Sequence, residues 1–592
     1  MNQTPKEVRI KINGKEIFTN DQETLLSVAN DNGFKVPTLC HFRSMSKKNP
    51  QKGSAAFNTG SCRICMVQDV TRDKLIPACV TPCVDGMDIK LDSIHVIQNR
   101  RNVLELILSD HPKDCLICNM NGQCELQDLA AEVDIRKVRY HGEHRKEEID
   151  DSSLSIFRDM NKCIFCKRCV ITCNEIQNVG VLSATGRGFN SSISTAFDLP
   201  LSETNCTFCG QCISVCPTGA LTEISNIDQV WKALVDKEKY VVVQTAPAIR
   251  VALGEEFGYP AGTDVTGKMV SALRMMGFDK VFDTNFAADL TIMEEATELV
   301  DRIQNNKTLP ILTSCCPGWV KYLEHQFSDM LDIPSSCKSP HEMFGSIVKT
   351  YFAQQMGIDP KDIVVVSVMP CVAKKYESAR PELGHEDGYS DVDLVVTTRE
   401  LARMIREISI DFNNIDDDTF DNPFGEASGA GQIFASSGGV IEAALRTAYE
   451  LITGQELEQL DFTELRGFEG AKESMVTIND QTLRIGVVSG LGNANTLLRA
   501  IRDGKEHYDA IEIMACPGGC IAGGGQPYHH NNPEIIQKRM ETIYEMDKGK
   551  QIRQSHKNPE IIKLYKEFLG EPYYGEKAHI LLHTTYTKRT KM

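Results

Sequence analysis

Two runs, Cys163-Ile-Phe-Cys166-Lys-Arg-Cys169-Val-Ile-Thr-Cys173 and Cys206-Thr-Phe-Cys209-Gly-Gln-Cys212-Ile-Ser-Val-Cys216-Pro217, share one spacing, Cys-x2-Cys-x2-Cys-x3-Cys. Three thiolates on one tight loop suit three corners of an iron–sulfur cube, and in this spacing the fourth cysteine of each run serves the other cube. One 4Fe–4S cluster is therefore expected on Cys163, Cys166, Cys169 and Cys216, and a second on Cys206, Cys209, Cys212 and Cys173. Asn174 follows the first run where Pro217 follows the second, which affects the turn more than the ligation. Of 22 cysteines in 592 residues, sixteen precede residue 217, clumped at this kind of spacing. Disulfide staples belong to small secreted domains, so a thiolate-ligand reading is preferred.

Working toward the N-terminus, residues 96–145 are helical by pattern and carry His111-x3-Cys115-x2-Cys118-x5-Cys124. Three thiolates and one imidazole suit a 4Fe–4S cluster with a histidine corner, a Cys3His zinc site being the alternative. Before them, Val8, Ile10 and Ile12 alternate as in a half-buried strand, Asn13-Gly14 signals a hairpin, and Ile17-Phe18 returns. Asp21 is expected to cap a helix through Leu25, Leu26 and Val28 that ends near Gly33, with Pro37 leading into Cys40. This order is that of a β-grasp, plant-type ferredoxin module. Its 2Fe–2S ligands would be Cys40, Cys62, Cys65 and Cys79, with Cys83 a possible substitute for Cys79. Ser44–Gly60 reads as a solvated loop between the first two ligands. Four clusters in series would form an electron wire, so the C-terminal half should house the redox chemistry.

From about residue 229 the pattern turns α/β. Tyr240–Gln244, Ile363–Met369, Val392–Thr397 and Ile485–Ser489 read as short buried strands, and Met293–Ile303, Arg399–Ile408 and Val440–Leu451 as helices. The acidic, Gly-rich 411–431 stretch reads as an exposed loop. The tail closes with a helix marked by Asn558-Pro559 before it and Gly570 after. Six cysteines remain, five of them in three motifs: Thr313-Ser-Cys315-Cys316-Pro-Gly-Trp319, Met369-Pro-Cys371-Val-Ala-Lys374-Lys-Tyr-Glu377, and Glu512-Ile-Met514-Ala-Cys516-Pro-Gly-Gly-Cys520 with Gly523-Gly524-Gly525 behind it. Ligands from three distant loops suit a site at a domain junction.

These motifs closely resemble those of the iron-only (FeFe) hydrogenases, in the long form with four accessory clusters. The resemblance implies a mixed α/β multidomain chain: a β-grasp 2Fe–2S module (1–95), a His/Cys3 4Fe–4S module (96–145), a two-cluster ferredoxin module (146–228) and a two-lobed H-cluster catalytic domain (229–592). It implies an H-cluster, a 4Fe–4S cube held by Cys316, Cys371, Cys516 and Cys520, with Cys520 bridging to a two-iron unit bearing CO, cyanide and a dithiolate amine. No side chain can split or form H–H alone, so such a unit supplies the hard step and the protein supplies orientation, electrostatics and a proton route. By resemblance, Cys315 relays protons, followed by Glu295, Glu298, Ser335 and Arg302. On pattern alone, the i, i+3, i+7 spacing of Glu295, Glu298 and Arg302 would equally suit a solvated helix face. Lys374 would donate to a cyanide, and Pro247, Ser339, Met369, Met514 and Phe434 would surround the two-iron unit. His341 stands where glutamine is common in the family. Cys337 and Cys83 have no assigned role.

A net charge of -17 argues against sequence-independent nucleic-acid binding. No apolar run approaches the ~20 residues of a membrane span, and the start, MNQTPKEVRIKING, lacks a secretory pattern, which points to the cytosol. An electron-relay subunit like that of NADH dehydrogenase would not need Cys315, Lys374 or Glu295. A hydrogen-sensing or cluster-assembly relative would tend to lack the relay residues or add a signalling domain. The expected activity is H2:ferredoxin oxidoreductase, with ferredoxin the simple electron partner. The alternative is the hydrogenase subunit of an NAD(P)-linked complex, because no strand–Gly-rich loop–helix phosphate site is present. Maturation proteins would insert the two-iron unit.

Overall fold

The computed structural model describes residues 4–44, 55–384, 388–467, 470–478, 481–529 and 532–589. Glu7–Ile12 buries Val8, Ile10 and Ile12 on alternate positions and pairs antiparallel with Lys15–Asn20. Asn13 (φ 48°) and Gly14 (φ 83°) make the turn, the positive φ at both central residues that a tight hairpin demands. The sheet runs Lys15–Asn20, Glu7–Ile12, Asp88–Lys90, Met66–Asp69, Lys74–Pro77. The helix Leu25–Asp31 covers it with Leu25, Leu26, Val28 and Ala29. Its cap is Thr24, whose hydroxyl accepts from Ser27 N at 3.2 Å, not Asp21. Asp21 instead accepts from Lys6 N at 3.0 Å, tying the sheet's start to its second strand.

The segment expected as a loop between the first two cysteines is a hairpin arm at its described ends: His41–Ser44 pairs antiparallel with Ala55–Asn58, and residues 45–54 lie outside the described residues. Downstream, Ser93 caps the helix Ile94–Asp110. The two-cluster segment is closed on itself by the antiparallel pair Ile156–Arg158 and Leu221–Glu223, which brings its first and last residues side by side.

The remaining chain builds two sheets. One is all parallel, ordered Lys280–Asp283, Tyr240–Thr245, Ile363–Met369, Leu394–Thr397. Its near-continuous apolar strands reflect burial on both faces. The other is ordered Ile311–Leu312, Ala510–Met514, Gln481–Ser489, Ala471–Ile478, with only the last strand antiparallel. The long helix Thr284–Gln304 is buried along most of its length and packs against both Pro340–Ile347 and Gly439–Thr453.

The 411–431 stretch is not simply exposed. Phe412 and Phe424 are core residues, Arg274 pairs with Asp418 at 2.6 Å and Asp421 at 3.0 Å, Lys280 pairs with Asp421 at 3.1 Å, and Ser428 caps a fully buried helix, Gly429–Ile433. Glycine is needed there: a Cβ on Gly429 would lie 2.0 Å from Asp547 Oδ1. Nor does the tail end at Gly570. Pro559–Leu564, capped by Asn558, widens into a π turn, and a further helix, Glu576–Leu582, follows. Among the described residues no helix is long and apolar enough to cross a membrane.

Candidate active site and cluster sites

Among the described residues no cysteine forms a disulfide. Cys40, Cys62, Cys65 and Cys79 are buried, and their sulfurs are linked in the order Cys62, Cys40, Cys79, Cys65. The thiols of Cys62 and Cys79 donate to Cys40 and hold it far below the ordinary thiol range; Cys79 likewise brings Cys65 down to about 7. Four sulfurs competing for shared protons are a donor set suited to a cationic centre. Cys83 is buried in the same small core.

His111 ends its helix with a ring whose Nδ1 is buried and has no hydrogen-bond partner. Burial lowers its pKa to about 4, so the imidazole is neutral, the form that ligates metal. Cys118 and Cys124 lie close together, Cys115 is exposed, and the backbone packs tightly: a Cβ on Gly219 would sit 2.7 Å from Cys118 Sγ.

In the paired runs the exchange of fourth cysteines is visible. Cys173 lines one cavity with Cys206, Cys209 and Cys212, while Cys216 is the electrostatic neighbour of Cys163, Cys166 and Cys169. Burial pushes these thiols up, Cys163 and Cys206 to about 11 and Cys209 to about 12. Thiolates so deeply buried require a compensating cation.

The four donor sets are not strung in a single file. Thr59, beside Cys40, donates to Cys166 O at 3.1 Å, and Cys124 Sγ contacts Pro217 O at 3.6 Å next to Cys216. Both outer sets therefore abut the Cys163 set, so the expected series is a fork. Its stem leads through the Cys206 set to the larger domain. There glycines strip the seam: a Cβ on Gly210 would lie 2.5 Å from Val372 Cγ2 and 3.1 Å from Gly524 Cα, and one on Gly318 only 3.5 Å from Cys209 Cα.

Both sheets of that domain aim the carboxyl ends of their parallel strands at one apolar cavity, the general location of sites in open α/β sheets. Tyr240–Thr245 delivers Pro247, Ile363–Met369 delivers Met369 and Cys371, Ile311–Leu312 delivers Cys315 and Cys316, and Ala510–Met514 delivers Met514, Cys516 and Cys520. All of these line the cavity, as do Lys374, His341 and Phe434. Burial raises every thiol there, Cys371 to about 12. The set fits an iron–sulfur cube joined to a second metal unit: four thiols converge, a fifth stands beside them, and a cation is present for anionic ligands.

That cation is held in place. Lys374 Nζ donates to Glu377 Oε2 at 2.6 Å, Ser339 Oγ at 2.8 Å and the Cys315 carbonyl at 3.2 Å. Burial opposes its charge, but Glu377 outweighs burial and keeps the ammonium above its usual range. Ser339 thus acts from behind Lys374. His341 Nδ1 lies 3.0 Å from Glu377 and 2.9 Å from Glu342, while its Nε2 is buried without a partner.

The proton-route residues also come together. Glu298 accepts from Ser335 Oγ at 2.8 Å and from Arg302 at 2.6 Å, and Arg302 also caps the carbonyls of Ile333 and Pro334. Glu295, one turn earlier, is buried with neither carboxylate oxygen hydrogen-bonded. Burial, then the nearby Glu298 charge, raises it to about 8, and it is the strongest charged influence on Cys315.

Sequence reasoning did not single out the surroundings of this chain. Ser336 N donates to Glu298 at 3.2 Å, and the Ser336 hydroxyl meets His583 Nδ1 at 2.8 Å. His583 Nε2 meets Glu294 at 2.9 Å, Tyr586 OH donates to Ser335 O at 2.5 Å, and Cys337 Sγ lies 3.9 Å from Glu298. Glu377 was visible only as the last residue of a motif.

Comparison with known families matches residues 239–524 to the C-terminal domain of the iron-only hydrogenase large subunit and 533–589 to the iron hydrogenase small subunit. Iron hydrogenase 1 of Clostridium pasteurianum is 39% identical over 98% of this chain and 100% of its own length. The chain belongs to the FeFe hydrogenases.

The hydrogenase's N-terminal part matches a 2Fe-2S binding domain (5–93), the NADH-ubiquinone oxidoreductase-G iron–sulfur region (100–139) and the ferredoxin-like domain of NADH-quinone oxidoreductase subunit 3 (154–222). The NADP-reducing hydrogenase subunit HndD of Solidesulfovibrio fructosivorans is 52% identical, over 98% of this chain and 99% of its own. A variant of the FeFe-hydrogenase HydA1 of Chlamydomonas reinhardtii matches in structure with a TM-score of 0.56 and 41% identity, covering 62% of this chain and 99% of that one. The hydrogenase thus carries accessory iron–sulfur domains ahead of its catalytic domain, and the small-subunit segment is the stretch that supplies His583 and Tyr586.

Proposed function

We propose that this hydrogenase interconverts 2 H⁺ + 2 e⁻ and H2 at an H-cluster held by Cys316, Cys371, Cys516 and Cys520. Electrons would pass through one 2Fe–2S and three 4Fe–4S clusters on the donor sets described above. The observation carrying this reading is the convergence of those four thiols, with Cys315 and the ion-paired Lys374, on one apolar cavity. When bound, the two-iron unit supplies the redox and H–H chemistry.

The chain's own residues orient, exclude water and move protons. Pro247, Met369, Phe434 and Met514 form apolar wall, which strengthens every charge interaction inside it. Lys374 Nζ, steadied by Ser339 and Glu377, offers N–H donors to anionic ligands. Cys315 holds a proton at Sγ, its thiol kept protonated by burial. Glu295, raised toward its protonated form, passes its own proton toward Ser335 and Glu298 as it takes up the one from Cys315, and Arg302 marks the outer end. Catalysis by such positioned acids and bases contributes typically ~10²–10⁴-fold.

For the electron partner we favour an NADP-linked assembly whose other subunits bind the nucleotide, on the strength of the full-length likeness to an NADP-reducing hydrogenase subunit. Ferredoxin is the second reading, supported by the chain's own ferredoxin-like domains. Twenty-two cysteines without a disulfide suit a reducing compartment, and we place the protein in the cytosol. The test is infrared spectroscopy of protein matured with its assembly proteins, followed by H2 oxidation assays with ferredoxin and with NADP⁺, each with and without co-purified subunits. CO and cyanide bands are expected, and protein made without maturation should be inactive until a synthetic two-iron unit is added. Matured protein without those bands would overturn the site assignment. NADP⁺ reduction that never exceeds ferredoxin reduction, whatever subunits are added, would favour the second reading.

A further inference from the structure

Lys321 lies on the helix Pro317–Gln326, which begins directly after Cys316. It is 6% exposed, an uncommon place for a lysine. Its close partners are two aromatic faces: Nζ stands 3.6 Å from the ring centroid of Phe208 and 4.4 Å from that of Tyr376. Phe208 sits between Cys206 and Cys209, and Tyr376 follows Cys371 in the short helix Lys374–Glu377. One ammonium is therefore clasped by the loop of the last relay cluster and by the loop of the active-site cube.

The charges around it do not cancel. Glu324, one turn on, pairs with Arg380 and Arg589, each at 2.6 Å, and Glu382 lies 3.2 Å from Arg589 and 3.7 Å from Arg380, so both carboxylates are taken by the arginines and the ammonium of Lys321 is the one positive charge left over. Aromatic faces stabilise a cation without neutralising it. Burial lowers the ammonium from its usual range, opposed first by the sulfur of Cys206, while the two ring faces hold Nζ at 3.6 and 4.4 Å.

We propose that Lys321 is an electrostatic tuning residue that raises the reduction potential of the 4Fe–4S cluster on Cys173, Cys206, Cys209 and Cys212, and so sets the drop across the last electron transfer. A fixed positive charge in a poorly screened interior stabilises the reduced, more negative cluster, and charge and burial are among the factors that set cluster potentials. The inference rests on the reading that those four cysteines hold a cluster.

The test is an EPR-monitored redox titration of the full-length, cluster-loaded protein as wild type, Lys321→Met, Lys321→Gln and Lys321→Arg, with Cys206→Ser marking the signal concerned. Both neutral variants should shift that signal alone to more negative potential, and Arg, which keeps charge and stacking, should restore it. Unmoved midpoints in a fully loaded neutral variant would overturn the proposal. Loss of the cluster in both neutral variants would also overturn it, because Lys321 would then be a packing requirement. Absence of the Cys206-dependent signal in wild type would instead refute the cluster assignment, which spin quantitation and iron content distinguish.

Discussion

The cluster sites before residue 220 and the cavity beyond it are built in opposite ways. Upstream, the three sets from His111 onward each draw most of their donors from one short run, as in Cys206-x2-Cys209-x2-Cys212, and the local loop sets the geometry; the Cys40 set shares only its Cys62-x2-Cys65 pair. Downstream, Cys316, Cys371 and Cys516 come from strands in two sheets, and no local segment holds more than part of the site. A site built locally can be lost alone, whereas one built by convergence shares its supports with everything around it.

Four substitutions would break or sharpen that contrast. The largest expected effect is from Cys315→Ala, which should cut H2 turnover by about 10²–10⁴-fold while iron content stays at the wild-type value. A parallel loss of iron would show that this thiol is a ligand instead. Gly210→Ala comes next. Its Cβ would need to displace Val372 and Gly524, so clusters should load normally but the seam should open, lowering turnover with artificial donors roughly tenfold, by analogy with the steep cost of ångström-scale displacements in active sites. Unchanged turnover would mean the seam tolerates a methyl.

Glu295→Gln tests pH behaviour. A carboxyl at about 8 in the fold and near 4.5 unfolded binds its proton more tightly when folded. Its contribution therefore favours folding most below about pH 4.5 and is lost as pH rises toward 8. The glutamine variant should flatten the decline in Tm across that window, as read by circular dichroism, and should lose turnover. An unaltered slope would show that Glu295 is already ionised at neutral pH. The smallest effect on activity is expected from His111→Ala, which should alter one accessory EPR signal and spare the rest. Because the outer sites join as a fork, electrons retain the Cys40 branch, so turnover should fall no more than a few-fold. Collapse of activity would mean that the His111 branch is the dominant route.

Legibility followed the same divide. The spacing of the paired runs, the donor set on Cys40 and the alternating Val8, Ile10 and Ile12 were readable because their cause is local. Ile363–Met369 was found because a strand buried on both faces is continuously apolar. Lys280–Asp283 and Ile311–Leu312 were missed, being too short for a period to register. The 411–431 stretch misled because small and acidic residues signal solvent, whereas here Gly429 is small to admit Asp547 and the acids answer Arg274. The Glu298 and Arg302 pair was ambiguous by spacing. Only tertiary structure shows the carbonyls of Ile333 and Pro334 closing around Arg302. Ser336, His583 and Tyr586 lay beyond reach, since nothing local ties residue 583 to residue 336.

The bare backbone contact of Gly210 with Gly524 has a kinetic meaning. Electron tunnelling weakens exponentially with the gap, so a missing side chain counts for more here than an added contact. A side chain at either position would widen the gap between the two donor sets without touching either one, so electrons crossing there would arrive more slowly while both sites kept their ligands.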